Sequence, residues 1–208
     1  MFITVGLFLL AYLMGSVCSA VIVSKIFALP DPRSQGSANP GATNVLRLAG
    51  PKYAAMVLVM DMLKGLIPVL IAQMMGVSVE VLTFCGFFAV LGHMFPIFFG
   101  FQGGKGVATT LGVLFGFHWF LGGAALLTWI ALASCFRYSS LASMITVGLM
   151  NLYWLWLGGR MEGIPGIFLI TLFVWFMHRD NLTRLIDGTE SKIDFKSKMK
   201  KASSPAHE

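Results

Sequence analysis

EVLTFCGFFAVLGHMFPIFFGFQGGKGVATT, residues 80–110, sets an apolar run directly against a glycine-rich loop that carries one lysine. From Val81 to Gln102 no side chain bears a formal charge, counting His93 as neutral. About 20 residues at 1.5 Å each span the ~30 Å hydrocarbon core of a bilayer. The run therefore reads as a membrane span. Similar runs fall at 2–24, 54–76, 80–99, 107–136, 140–158 and 163–177. Across all 208 residues, 57% are hydrophobic and 12% charged, which excludes an ordinary water-soluble domain. The 107–136 run is too long for one crossing, and His118 with the Gly122-Gly123 pair predicts a turn near its middle. The expected fold is an all-α integral membrane protein with seven transmembrane helices.

Met1 opens an apolar run with no basic segment before it and no small-residue cleavage site after it, so the first run is expected to stay as a helix. Cys18, Cys85 and Cys135 lie in apolar stretches without ligand spacing, which predicts neither a disulfide framework nor a metal site. Orientation follows the basic loops. Lys25, Arg33, Arg47 and Lys52 flank the first long loop, Lys105 sits in the short loop after the third run, Arg137 precedes the 140–158 run, and a basic tail begins at Arg179. With seven crossings these segments share one side, expected to be the cytoplasm. The N-terminus is then periplasmic and the C-terminus cytoplasmic. The chain divides into a polytopic domain, 1–191, and a basic tail, 192–208. Five lysines and one aspartate between Lys192 and Lys201 suit either anionic head groups, at ~1 kcal/mol per residue, or plain solvation.

Irregular backbone at membrane depth is tolerated only where protein or a wet cavity surrounds it, so loop composition is informative. The loop from Asp31 to Asn44 combines Gly36, Pro40 and Gly41 with Ser37, Asn39, Thr43 and Asn44, and Arg33 and Arg47 add charge. Exposed N–H groups leading into a helix can cradle an anion. The same composition also fits a surface linker. Around Lys105, a nucleotide P-loop would need glycine at Phe99 and Ser or Thr at Gly106, so that pattern fails. What remains is a lysine flanked by Gly103, Gly104 and Gly106, suited to phosphate without nucleotide or magnesium. His93 beside Pro96 reads as either a structural hydrogen-bonding residue or a site residue. Ser139, Ser140 and Ser143 can cap a helix, and His178 and Asn181 share a helical face. Asp61 and Lys64 stand inside an apolar run at same-face spacing, as a structural ion pair or as lining of a site.

In order along the chain, Gly15-Ser16, Gly36-Ser-x-Asn39, Gly41-Ala-Thr-Asn44 with Arg47, Asp61-x-x-Lys-Gly65, Gly92-His-x-x-Pro96, Gly103-Gly-Lys-Gly-Val-Ala-Thr109, Ser139-Ser-Leu-Ala-Ser143 and His178-Arg-x-Asn181 resemble the acyl-phosphate-dependent glycerol-3-phosphate acyltransferases, the PlsY family. The resemblance runs from the first apolar stretch to about Glu190. It implies a seven-helix enzyme of the bacterial inner membrane with its active site facing the cytoplasm. Such an enzyme moves a fatty acyl group from acyl phosphate to the 1-position hydroxyl of glycerol 3-phosphate, giving lysophosphatidic acid and inorganic phosphate. It also implies functional coupling to PlsX, the soluble enzyme that makes acyl phosphate. No cofactor and no nucleic acid enter this reading. Other glycerolipid acyltransferases use His-x-x-x-x-Asp, and none of the four histidines here has Asp five residues on.

On that resemblance, the expected catalytic residues are Ser37, Lys105, Ser143, His178 and Asn181. Expected substrate and phosphate ligands are Gly36, Asn39, Gly41, Thr43, Asn44, Arg47, His93, Gly103, Gly104 and Gly106, supported by Asp61 and Lys64. Lys105, Ser37, Arg47 and loop N–H groups would hold phosphate, while Ser143, His178 and Asn181 orient the acceptor. The base is either His178 or the acceptor's own phosphate. A transporter for a phosphorylated solute is the rival class, although the polar motifs fall at run ends and no internal repeat is visible.

Overall fold

The computed structural model of the protein describes residues 1–157 and 159–193, so Gly158 and most of the basic tail lie outside the described residues. Among the described residues every regular element is helical: α1 (Phe2–Gly15), α2 (Ser19–Ile26), α3 (Ala42–Ala49), α4 (Pro51–Met74), α5 (Val79–Met94), α6 (Val107–Phe117), α7 (Trp119–Phe136), α8 (Ser139–Trp156), α9 (Ile164–Met177) and α10 (Arg179–Ile186), with 3-10 turns at Ile97–Phe99 and Met161–Gly163. Among the described residues three segments are long and apolar enough to cross a membrane alone: Pro51–Met74, Val79–Phe99 and Trp119–Phe136. Counting the bent pairs α1–α2 and α9–α10 as one span each gives five. α6 has 11 residues, only about 16 Å of helix.

α5 is the central helix, packed against α1, α4, α6 and α9. Its buried Cys85, Ala89, Val90 and Met94 meet Val113 and Leu114 of α6 and Ile167, Ile170 and Val174 of α9 in one apolar core. A smaller core of Ala20, Val23, Val45 and Val57 fastens α2 and α3 to α4. Outward faces stay apolar, with Leu58, Leu63, Ile67 and Leu70 exposed on α4 and Leu127 and Ile130 on α7, as a lipid-facing surface requires.

One boundary corrects the sequence expectation and another sharpens it. The 2–24 run is not one helix: it bends by 41° between Gly15 and Ser19. There Ser16 Oγ donates back to the Tyr12 carbonyl at 2.8 Å and Cys18 leaves helical backbone, which frees the Val17 carbonyl. The 107–136 run breaks at His118, whose extended backbone and ring nitrogen, 3.3 Å from the Phe120 N–H, cap α7. Gly122 and Gly123 lie inside α7, not at the turn.

α4 and α6 touch backbone to backbone, as membrane helices do where small residues meet. A Cβ at Gly112 would strike the Met62 backbone, and one at Gly65 the Thr109 backbone. At Gly123 a Cβ would meet nothing within 4 Å. Gly112→Ala should therefore lower the thermal midpoint in detergent by the equivalent of about 1–3 kcal/mol of overpacking. Gly123→Ala should change it by less than about 0.5 kcal/mol.

Candidate active site

The glycine-rich loop is built from both ends. Pro96 stops α5, and Gly106, at φ +85°, turns the chain into α6. The Gly104 N–H donates to the His93 carbonyl at 3.1 Å, folding the loop back over the end of α5. Between these anchors Lys105 is half-buried, and its ammonium donates to Asn181 Oδ1 on α10. Burial pushes the Lys105 pKa below its ordinary value, the Arg184 cation adds to the shift, and Glu190 opposes it.

α10 leaves α9 at a 56° bend, and His178 occupies the corner. His178 is buried, with Nδ1 2.8 Å from the Val174 carbonyl. A carbonyl can only accept, so Nδ1 carries the proton and Nε2 keeps its lone pair. Burial lowers the imidazole pKa to about 4, against the Val174 bond and helped by nearby Lys105, so the ring is neutral at ordinary pH.

Glu190 is the residue that sequence reading passed over. α10 ends in a Schellman turn: Thr189 N–H donates to the Arg184 carbonyl, Gly188 N–H to the Leu185 carbonyl, and Gly188 has φ +71°. The turn brings the carboxylate back. Glu190 Oε1 accepts from Asn181 Nδ2 and Ser140 Oγ, each at 2.7 Å, and Oε2 accepts from Arg184 Nε at 2.7 Å. Burial alone would raise its pKa, but these three donors hold it below the ordinary carboxylate value. Next along the chain, the Ile193 carbonyl accepts from the Arg137 guanidinium at 2.9 Å, and the Ile193 N–H donates to the Arg137 carbonyl at 2.6 Å. The stretch 188–193 thus ties α10 to the α7–α8 connection. Two of its donors, Arg184 and Asn181, lie only six and nine residues back, but Ser140 lies 50 residues away.

The other expected site residues divide by occupation. Ser143 is buried in the first turns of α8, donating to the Ser139 carbonyl at 2.7 Å and accepting from Trp129 Nε1 at 3.0 Å. In the first loop the buried Asn44 amide is wholly engaged: Oδ1 accepts the Ser37 N–H at 3.0 Å, and Nδ2 donates to the Pro32 and Gln35 carbonyls at 2.9 Å. Gly36, at φ +65°, lies against that amide where a Cβ would not fit. Arg33 pairs with Asp31 at 2.7 Å. Ser37 and Arg47 are exposed, Asn39, Gly41 and Thr43 partly so, and among the described residues none of these side chains bonds to the Lys105 cluster. Asp61, Lys64 and His93 form a second, fully buried group. Lys64 Nζ lies 2.8 Å from Asp61 Oδ1 and donates to the Val17 carbonyl at 2.7 Å, while His93 Nδ1 stands 3.6 Å from the same Asp61 oxygen. Among the described residues no group of three His, Cys, Asp or Glu could hold a metal ion.

The family model described as glycerol-3-phosphate acyltransferase matches residues 5–188. A glycerol-3-phosphate acyltransferase of Legionella pneumophila (strain Corby) is 52% identical over 190 residues, 91% of this chain and 69% of that one. One from Methylococcus capsulatus is 52% identical over 187 residues, covering 89% and 94%. Among solved structures, PlsY, an integral membrane glycerol 3-phosphate acyltransferase, superposes in its glycerol 3-phosphate form with a TM-score of 0.87 at 40% identity, covering 92% of this chain and 96% of that one. Its lysophosphatidic acid form gives 0.85 at 38% identity.

His178 predicts a pH dependence of stability. Its folded pKa of about 4 lies below the ordinary 6.5, so between those values the unfolded chain binds a proton that the folded chain refuses. Stability is complete above about 6.5 and falls as pH drops toward 4. Between pH 7.5 and 5 the loss should be about 2 kcal/mol at ~1.4 kcal/mol per pH unit. Unfolding in detergent at both pH values should show this difference in the wild type and a smaller one in His178→Gln.

Proposed function

The chain belongs to the glycerol-3-phosphate acyltransferase family, and from that premise we propose that it transfers a fatty acyl group from acyl phosphate to the sn-1 hydroxyl of glycerol 3-phosphate. The observation that carries this reading is the contact of Lys105, on its glycine-rich loop, with Asn181, one helical turn from a neutral His178. A cation and free N–H donors suit a phosphate, and an amide and an uncharged imidazole suit a hydroxyl.

In the proposed reaction the acceptor hydroxyl oxygen attacks the carbonyl carbon of the acyl phosphate. The carbon–oxygen bond to phosphate then breaks, its electron pair leaves with the phosphate, and the products are lysophosphatidic acid and inorganic phosphate. The leaving group is good, so positioning and charge stabilisation suffice and no covalent enzyme intermediate is needed. Lys105, Ser37, Arg47 and loop N–H groups hold phosphate, and His178, Asn181 and Ser143 orient the acceptor. The hydroxyl proton goes to the acceptor's own phosphate, whose second pKa near ~6 makes it a stronger base than His178 at about 4.

The protein is multi-pass, and we place it in the bacterial inner membrane with residues 1–191 as the catalytic domain and 192–208 as a basic tail. The seven crossings are α1–α2, α4, α5, α6, α7, α8 and α9. α6 starts and α7 ends beside the same network, since Lys105 reaches Asn181 and Arg137 reaches Ile193. The two therefore run out and back, and the parity of the count is unchanged by the shortness of α6. The basic loops then face the cytoplasm, where a soluble acyl-phosphate-forming enzyme, PlsX, supplies the donor. The second reading, transport of a phosphorylated solute, draws on the two bent helix pairs and the buried Asp61–Lys64 pair.

Purified protein should release phosphate from palmitoyl phosphate only when glycerol 3-phosphate is present, forming lysophosphatidic acid, and should be inert with palmitoyl-CoA. Absence of turnover with either donor would favour the transporter. Lys105→Met should lower kcat/KM for glycerol 3-phosphate roughly 30- to 100-fold, the loss of one charge-assisted hydrogen bond. His178→Gln should keep kcat within about tenfold; a fall of 10²–10⁴-fold would instead assign the proton to His178.

A further inference from the structure

His93 is 6% exposed and enclosed on two sides by different chemistry. On one side its Nδ1 stands 3.6 Å from Asp61 Oδ1, and that carboxylate is held in α4 by Lys64, which is itself fastened to the Val17 carbonyl at the α1–α2 break. On the other side lies the glycine-rich loop. A Cβ at Gly104 would fall 2.9 Å from His93 Cε1 and closer still to Nε2, so the ring presses on the Gly104 backbone. The His93 carbonyl also accepts the Gly104 N–H at 3.1 Å. Ring and backbone of one residue thus hold the residue immediately before Lys105. A ligand reaching His93 Nε2 would first have to displace Gly104.

We propose that His93 is a positioning residue: braced by the buried Asp61–Lys64 pair, its ring is the floor under Gly104 and sets where Lys105 presents its ammonium. Buried charge inside α4 thereby acts on the site through α5 and the loop, without touching substrate. Neither Asp61 Oδ1 nor His93 Nδ1 makes a well-directed hydrogen bond, although the Lys64 cation is 2.8 Å from that oxygen. One N–H of the Lys64 ammonium donates to the Val17 carbonyl, and the same Asp61 oxygen that pairs with its charge also faces the imidazole at 3.6 Å. The link to glycerol 3-phosphate binding rests on the reading in the preceding subsection, but the link from His93 to the loop does not.

The test uses the full-length protein in detergent or nanodiscs, with two readouts. Hydrogen exchange of the 103–106 amides should quicken at least tenfold in His93→Ala, with the interior of α4 unchanged. His93→Gln, whose amide refills the space beneath Gly104, should recover most of that protection. With palmitoyl phosphate saturating, His93→Ala should raise KM for glycerol 3-phosphate about tenfold and change kcat less than threefold. The isosteric Asp61→Asn should shift both readouts in the same direction by a smaller factor, and it carries the test if His93→Ala does not fold. Unchanged loop exchange in a folded His93→Ala or Asp61→Asn protein overturns the proposal, as does a fall in kcat at constant KM. If loop exchange quickens but the wild type acylates no glycerol 3-phosphate, the floor stands and the acyltransferase reading falls.

Discussion

One ammonium group ties together three parts of this protein that hydrocarbon would otherwise penalise. Lys64 Nζ pairs in charge with the Asp61 carboxylate and donates a hydrogen bond to the Val17 carbonyl, which the bend between α1 and α2 leaves without an intrahelical partner. Lipid supplies no donors, so a broken helix at membrane depth needs its freed carbonyl met by protein, and a buried charge needs its opposite. Each of these costs is offset by the other's group. With Val17 and Asp61 held, α1 and α4 are set against α5, and His93 inherits a fixed environment.

The same rule explains where the polar chemistry gathers. Helices α5, α6, α8, α9 and α10 start or end at one end of the bundle, and there Lys105, Asn181, Glu190, Ser140 and Arg184 form a continuous network. Glu190 stands between Asn181 and the Arg184 cation, so the lone carboxylate has three donors and the amide is oriented with its oxygen toward Lys105. A neutral His178 beside this network follows from burial at the α9–α10 corner, where its protonated form would be poorly solvated.

The first loop is organised differently, from within. Asn44 fastens the turn around Gly36 by engaging all of its amide, while Ser37 and Arg47 stay exposed. Loop residues that resembled one another as polar candidates therefore divide into scaffold and presented groups. Composition cannot make that division, because an asparagine that binds a ligand and one that pins a turn are the same residue with different neighbours.

Apolar run length and the crowding of glycine, serine and lysine at the run ends are local properties. From them alone the sequence determined a helical membrane protein and marked the polar loops at its run ends; the site roles expected of Lys105, His178 and Asn181 came from the family resemblance. The break at His118 is local, capped by its own ring two residues on, whereas the bend at residues 16–18 and the role of Glu190 were decided by tertiary contacts. Lys64 reaches Val17 across 47 residues, Lys105 reaches Asn181 across 76, and Ser140 reaches Glu190 across 50. The fate of a buried polar group depends on the partner that packing delivers, and helical periodicity places neighbours only three or four residues apart.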